Sequence, residues 1–459
     1  YLYYLQTVNQ NEIINLQKIN IMSSSRQLWS PSPEFRKNSN LSHYNEWLQK
    51  HYGFSFNDYE TMWKWSVDNI AEFWKSIAEY FQVKFYARPS GIMSDDPMPR
   101  TRWFEGATLN YAEHIFRMKT DKRPAILFAS EQNPLVTVSW KELEQQTAAL
   151  QGYFSKIGIK PGDRVVAYIP NIPQATVAML ATISLGAIWS SCSPDFGSES
   201  VLDRFKQIAP KVFITVDGYI YNAKSFDRTE VVYEISSQLP SLEKVIGIPY
   251  LKSDQEFNNI KNLVLWDEVM NEKSSGLTFT PVPFSHPIWI LYSSGTTGIP
   301  KAITHSHGGM LLEHLKYLSF HNDVHPGENF FWYSTTGWMM WNFVQASLLT
   351  GATIVLYDGS AGLNFLSVLW KLASDLPIHH FGTSAPFIIA CLKGNLKPGQ
   401  RFNLSTLRSI GSTGSPLPPE GFDFVYEKIK SDVWLCSMSG GTDICTAWVG
   451  GSPWKPVLG

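Results

Sequence analysis

A cluster of small polar residues closes a short apolar run. After "PIWIL" the chain reads Tyr292, Ser293, Ser294, Gly295, Thr296, Thr297, Gly298, Ile299, Pro300, Lys301. This stretch is too polar for a buried strand and too glycine-rich for a helix. Glycine hinges let successive backbone N–H groups converge on an anion, Ser and Thr hydroxyls add donors, and Lys301 adds a charge. The chemistry this suits is the cradling of phosphate. It is not a Walker A loop, since GxxxxGK[ST] cannot be laid over Gly295 and Gly298. Composition alone leaves it open between a solvated turn and an anion cradle.

The elements that must position this loop alternate in type. "RVVAYIP", "AIWSS", "KVFITVDG", "KVIGIP", "WILYSS" and "TIVLYDG" are apolar runs bounded by Gly, Pro or Asp, and "PQATVAMLATISLG" is a helix ending at Gly186. Strands alternating with helices predict an α/β fold with a buried, mostly parallel sheet. Ligands of such sheets sit beyond the carboxyl ends of strands, which is where the loop falls. Upstream, Val67, Ile70, Phe73, Trp74, Ile77 and Phe81 recur at helical spacing and predict one amphipathic helix over 58–82, with Ser66 as a fair N-cap. Residues 88–106, rich in Pro and Gly, read as irregular connection.

Composition sets the outer limits. The chain has 459 residues, 44% apolar and 17% charged, with a formal net charge of -2. That describes a globular protein with a large core and argues against nucleic acid as the main partner. Seventeen Trp and twenty Tyr suggest aromatic-lined walls. Cys192, Cys391, Cys436 and Cys445 form no CxxC pair, and no HExxH is present, so reduced thiols and a cytosolic setting are expected rather than a zinc site. No apolar run reaches the ~18 residues of a membrane span, and no secretory signal opens the chain. The first residues, "YLYYLQTVNQNEIINLQKINI", begin without Met, while Met22 starts a plausible N-terminus. Residues 1–21 are therefore expected to be leader or fragment sequence, or a disordered extension.

Three motifs in order carry a resemblance. "YSSGTTGIPK" resembles the phosphate loop of the acyl-adenylate-forming enzymes. "GSTGSPLPPE" (411–420) is similar to their adenine-binding segment, and "SMSGGTDIC" (437–445) to the segment that holds the acyl-adenylate and the metal. "WFEGATLNYAEH" (103–114) resembles a segment of the short-chain group that activates acetate, propionate and acetoacetate. "SGGTDIC" and "WMMWN" look most like its acetoacetate-activating members. The likeness runs from about residue 22 to the chain end.

The resemblance implies a large adenylate-forming domain with parallel sheets flanked by helices. A carboxylate attacks the α-phosphate of ATP, pyrophosphate departs, and the thiol of coenzyme A takes the acyl group from AMP. No enzyme nucleophile is needed, so catalysis is positioning plus charge stabilisation. Ser293, Ser294, Gly295, Thr296, Thr297, Gly298 and Lys301 are expected at the β- and γ-phosphates, and Gly441 and Thr442 beside the α-phosphate. Gly414, Ser415 and Pro416 would form a wall against adenine; the bland reading is a Gly/Pro loop between "LRSIGS" and "PEGFDFVYEKI". Asp443 is a natural ligand for Mg²⁺, or else a turn carboxylate.

"TTGWMMWN" (335–342) reads as a loop whose Trp338, Met339, Met340 and Trp341 wall the acyl group. Acetate-specific relatives carry a Trp at the position matching Gly440, so glycine leaves space for acetoacetate; alternatively, Gly440 and Gly441 permit positive φ in a tight turn. Lys224 and Arg228 are offered for the 3′-phosphate of coenzyme A. His305, His307, His379 and His380 are given no catalytic role, although His305 is near the base of the nucleotide loop.

The expected division is 1–21 outside the fold, 22–120 a helical N-terminal segment and 121–459 the adenylation domain. The family continues with a ribose-binding carboxylate, a hinge and a small mobile lobe, and the chain is expected to stop before them. An acetoacetate ligase using ATP, Mg²⁺ and coenzyme A is the leading expectation. A ligase for acetate, propionate or another short acid, and a catalytically incomplete nucleotide-binding fragment, are the alternatives.

Overall fold

Side chains alternate along each strand between two apolar clusters, and this alternation fixes the layers. The computed structural model describes residues 26–252, 257, 259–272, 275–294 and 298–459; residues 1–21 lie outside them. In the strand Arg164–Tyr168, Val165 and Ala167 join a central core, while Val166 and Tyr168 join an outer cluster. In Thr353–Asp358, Ile354 and Leu356 join the same central core, and Val355 and Tyr357 a second outer cluster. Two sheets therefore share one core, and each is covered by helices on its far side.

Each sheet has seven strands. The first runs in the order Leu263–Leu265, Lys244–Ile248, Val212–Val216, Arg164–Tyr168, Ile188–Cys192, Pro287–Ser293, Lys301–Ser306, parallel except for the last pair. The second runs Trp434–Ser437, Ser409–Thr413, His380–Ser384, Asn329–Trp332, Thr353–Asp358, Ile126–Ser130, Val136–Val138, again with only the last pair antiparallel. The helix Pro173–Ser184 lies in the shared core and buries every residue except Gln174. A helix apolar on all sides has to be covered on all sides.

Loops at the carboxyl ends of the two sheets meet. The Thr336 hydroxyl donates to Ile169 O at 2.6 Å, and the Ser191 hydroxyl to Thr336 O at 2.8 Å. Glu131, just past a strand of the second sheet, accepts the backbone N–H groups of Asn222, Ala223 and Ser360 at 2.9, 2.7 and 2.6 Å.

The helix expected over 58–82 is two helices, Tyr59–Asp68 and Ile70–Tyr80. Asp58 caps the first, accepting from Thr61 N at 2.8 Å. Ser66 lies inside that helix, where its hydroxyl donates to Trp63 O, so it is not a cap. The break is at Asn69, whose side-chain amide bonds Trp65 O and competes with the helical ladder. It lets Trp65 pack edge-on against Phe73 at 5.8 Å; in one straight helix these residues would stand about 12 Å apart along the axis. Within 88–106 a short antiparallel pair, Gly91–Met93 with Trp103–Glu105, interrupts the irregular connection.

At the opposite, amino-terminal edge of the second sheet sits a buried ionic cluster. Arg408 bridges Glu328 at 2.6 Å and Asp323 at 2.7 Å, and His380 donates to Glu328 at 2.7 Å. His380 is buried in this cluster, and beside it the half-buried His379 accepts from Asn329 N at 3.0 Å. Burial favours the neutral form of Glu328, but the hydrogen bond from His380 and the charge of Arg408 outweigh it and hold its carboxyl down at about 2. A folded pKa below the unfolded value stabilises the protein above the ordinary carboxyl range of about 4.5 and loses that contribution as pH falls toward 2. Glu328→Gln should destabilise the fold by about 3 kcal/mol at neutral pH, the cost of breaking a buried pair. Its thermal melts should also fall less steeply than wild type below pH 4.5.

Candidate active site

The strand Pro287–Ser293 delivers the Ser/Thr/Gly loop at its carboxyl end, and Ser293 pairs with Lys301 where the chain returns. Ser294 and Lys301 are exposed, and Gly298 has φ +89°, the left-handed region that favours glycine. Gly295, Thr296 and Thr297 lie outside the described residues.

A small cavity of about 100 Å³ joins several segments expected to act together. Trp338, Met339, Met340, Gly414, Gly440, Gly441 and Thr442 all line it. The Gly414 loop is anchored to the strand beneath the hairpin: Thr413 Oγ1 donates to Met438 O at 3.0 Å, and Met438 N to Ser412 O at 2.8 Å. Gly414 itself has φ +89°. Ser415 and Pro416 follow it on the surface, outside the lining.

Trp341 stands apart. Residues from Met339 form the helix Met339–Ala346, not the expected loop. Two residues turn a helix by about 200°, so Trp341 points away from Met339. It is fully buried, stacks on Trp189 at 6.2 Å and donates from Nε1 to Asn171 Oδ1 at 3.0 Å. It belongs to the core.

The segment 439–449 is a hairpin in which Ser439–Gly441 pairs with Thr446–Val449. Cys445 N closes its turn by donating to Gly441 O at 3.0 Å. Neither Gly440 nor Gly441 has positive φ, so the tight-turn reading fails. Gly440 is required by close approach instead: a Cβ there would lie 2.1 Å from Thr446 O and 2.6 Å from Ala447 Cα. The missing side chain is therefore dictated by the hairpin's own pairing, even though Gly440 also lines the cavity. At Gly441 the nearest atom to a Cβ is Trp448 Cη2 at 3.8 Å.

Beyond the hairpin lies a larger cavity of about 1100 Å³. Asp443 faces it together with Phe104, Gly106, His305, Lys316 and Trp448, and Thr446 and Ala447 line both cavities. The hairpin is the partition between the two spaces. His305 is buried beneath Asp443, with Nε2 3.2 Å from the Asp443 carbonyl. Burial pushes its pKa down, against those backbone bonds. Asp443 is exposed, and among the described residues no three His, Cys, Asp or Glu gather into a metal cage. A single exposed carboxylate fits Mg²⁺, which takes one or two carboxylates and completes its shell with phosphate oxygens and water.

Comparison with known proteins shows the family. The profile for AMP-binding enzymes matches residues 116–454, and that for the acetyl-coenzyme A synthetase N-terminus matches residues 59–115. The chain belongs to the AMP-binding enzyme family. It is 43% identical over 438 residues to acetoacetyl-coenzyme A synthetase of Rhizobium meliloti (strain 1021), covering 95% of this chain and 67% of that protein. The acetoacetyl-CoA synthetase of Danio rerio is 40% identical over 447 residues, with 94% and 66% covered. The solved acetoacetyl-CoA synthetase from Streptomyces lividans superposes with a TM-score of 0.90 at 43% identity, covering 94% of this chain and 67% of that one. The chain thus spans about two thirds of the length of these relatives.

Within this family fold, Lys224 and Arg228 line neither cavity. Lys224 is exposed on the hairpin formed by Gly218–Tyr221 and Lys224–Asp227. Arg228 is occupied: Nε donates to Pro194 O at 2.9 Å, Nη2 to the Tyr219 hydroxyl at 3.2 Å, and the guanidinium lies over the Tyr219 ring. Sequence reasoning missed Glu313 and His314, which bond the hairpin at Thr446 and Cys445. The one available signal was the seven-residue step from His307 to His314, which places both on one helix face.

The two hairpin glycines should separate experimentally. Gly440→Ala should cost about 1–3 kcal/mol of stability through overpacking against backbone. Gly441→Ala should melt within about 0.5 kcal/mol of wild type. Calorimetric melts of the pair check this, and equal melting temperatures would refute the packing argument.

Proposed function

We propose that this chain carries out ATP-dependent ligation of acetoacetate to coenzyme A through an acyl-adenylate. The observation that supports this most is the lining of the small cavity. It puts an apolar wall (Trp338, Met339, Met340), a nucleotide loop (Gly414) and a phosphate-side hydroxyl (Thr442) around one space, with Asp443 on the far side of the same turn. The names of the relatives point to the same acid.

The roles follow from chemistry. Ser293, Ser294, Gly298 and Lys301, with Gly295, Thr296 and Thr297, bind the β- and γ-phosphates. Gly414, Ser415 and Pro416 flank adenine. Thr442 donates to the α-phosphate as the acetoacetate carboxylate attacks phosphorus and pyrophosphate leaves with its electron pair. Mg²⁺ held at Asp443 would neutralise charge on the phosphate oxygens. In the second half-reaction the coenzyme A thiol attacks the acyl carbon and AMP departs. The larger cavity reaches the hairpin from the opposite side, so a long thiol arm can approach there without displacing the nucleotide. Lys224 and Arg228 lie outside both cavities, and the larger one offers Lys316 and Arg102 instead.

We further divide the chain into a helical segment, 22–120, and an adenylation domain, 121–459. The four described cysteines are all free and buried, which favours a reducing, cytosolic setting. No described helix is long and apolar enough to cross a membrane.

The test is a panel of acetoacetate, acetate, propionate and butyrate with ATP, Mg²⁺ and coenzyme A, scoring AMP and acyl-CoA together. Acetoacetate should give the highest kcat/KM; preference for acetate or propionate would replace the acid, and no AMP with any acid would refute the ligase reading. In the same assay Lys301→Ala should lower kcat/KM for ATP by about 1.5–3 kcal/mol, the value of one charge-assisted hydrogen bond. Unchanged ATP dependence in the folded variant would remove Lys301 from the phosphate site.

A further inference from the structure

The turn that carries Thr442 and Asp443 ends on Cys445, a buried non-glycine residue at φ +51°. Such a conformation is disfavoured for a residue with a Cβ and persists only where neighbours over-determine it. The neighbour here is the helix His307–Phe320. His314 Nε2 lies 3.1 Å from the Cys445 carbonyl, and His314 Nδ1 lies 2.9 Å from the Tyr111 hydroxyl. A carbonyl only accepts, so Nε2 carries the proton. A neutral imidazole has one N–H, so Nδ1 must accept from Tyr111. Burial favours this neutral form.

The ring has little freedom. It stacks on Trp289 at 5.9 Å and meets Phe343 edge-on at 6.2 Å, while Tyr111 abuts Trp289 at 5.5 Å. Two further contacts from the same side run parallel to it: His305 to the Asp443 carbonyl at 3.2 Å, and the Thr446 hydroxyl to Glu313 at 3.0 Å. All three hold hairpin positions, His305 and Glu313 from within the larger cavity that Asp443 also faces, and among the described residues none engages the Asp443 carboxylate.

We propose that His314, with its tautomer set by Tyr111, is a positioning residue that holds the Cys445 carbonyl and so presents Thr442 and Asp443 to the metal–nucleotide. The inference rests on the ligase reading only in placing Mg²⁺·ATP at this turn. It assigns His314 no proton transfer. Removing the donor lets Cys445 relax from its left-handed conformation, and Asp443, two residues away, moves with it.

The experiment is calorimetric binding of ATP to the full chain across a Mg²⁺ titration, with no acid present. His314→Leu should weaken Mg²⁺·ATP binding about tenfold, one lost hydrogen bond plus the relaxation it permits, and should raise the Mg²⁺ needed for half-saturation. His314→Gln keeps an N–H near Nε2 and should recover most of the affinity. Tyr111→Phe should fall between them, because it frees the tautomer without removing the ring. His380→Gln, a buried histidine at the opposite sheet edge, should lose stability without shifting the Mg²⁺ requirement. Wild type that binds ATP beside a folded His314→Leu of equal Mg²⁺ dependence would overturn the proposal. If the leucine variant does not fold, identical binding by wild type, Tyr111→Phe and His314→Gln would overturn it. Wild type that fails to bind Mg²⁺·ATP at all would instead overturn the nucleotide site on which both readings stand.

Discussion

The helix Pro173–Ser184 has no polar face, and the rest of the molecule is arranged to cover it. A helix apolar all round needs apolar neighbours on every side, and the inner faces of the two sheets contribute to the same core. Sharing a core brings the sheets' carboxyl ends together, which the bonds among Ile169, Ser191 and Thr336 record. The loops that leave those ends are where an open α/β sheet binds its ligands. Packing of one helix thereby helps bring Trp338, Met339, Met340, Gly414 and Thr442, distant in sequence, to one cavity, whereas Ser293, Ser294, Gly298 and Lys301 line neither of the two cavities described.

Much of this was legible in the sequence because its signals are local. The strands from Arg164 to Asp358 announce themselves as apolar runs cut off by Gly, Pro or Asp, and each named run is a strand in the structure. The order of the three Gly- and hydroxyl-rich segments fixes the family, and Gly414, Gly440, Gly441 and Thr442 do converge on one cavity. What failed to show was tertiary. The break at Asn69 depends on Trp65 finding Phe73 across it. Trp341 is apolar like its neighbours Met339 and Met340, and all three join the core, but only the two methionines also line the small cavity. Arg228 looks free for an anion until its partners Pro194 and Tyr219 are seen.

Gly440 shows how one residue answers two demands. Its lack of a side chain opens the small cavity, and that openness invites an account based on substrate size. The 2.1 Å separation between a hypothetical Cβ and the Thr446 carbonyl gives the prior reason. Hairpin strands with a bulge between Ser439 and Gly440 press backbone on backbone, and only glycine permits it. Pocket shape is then a consequence of strand pairing, so a larger residue here would first have to rebuild the hairpin.

The partition between the cavities is thin: the turn 442–445 and the strand beyond it, with Thr446 and Ala447 facing both ways. A wall one hairpin thick has few packing contacts of its own to hold the Asp443 turn. Support comes from His305, Glu313 and His314, each of which bonds the hairpin. Two of the three contacts aim N–H donors at backbone carbonyls, groups that a bound polyanion does not compete for. Neutral imidazoles suit this task better than lysines, because they hold the backbone without pairing with the Asp443 carboxylate and drawing it away from a cation. The two imidazoles, pushed toward the neutral form by burial, hold backbone carbonyls, while Glu313 takes the Thr446 hydroxyl and has its charge met by Lys316 at 2.8 Å.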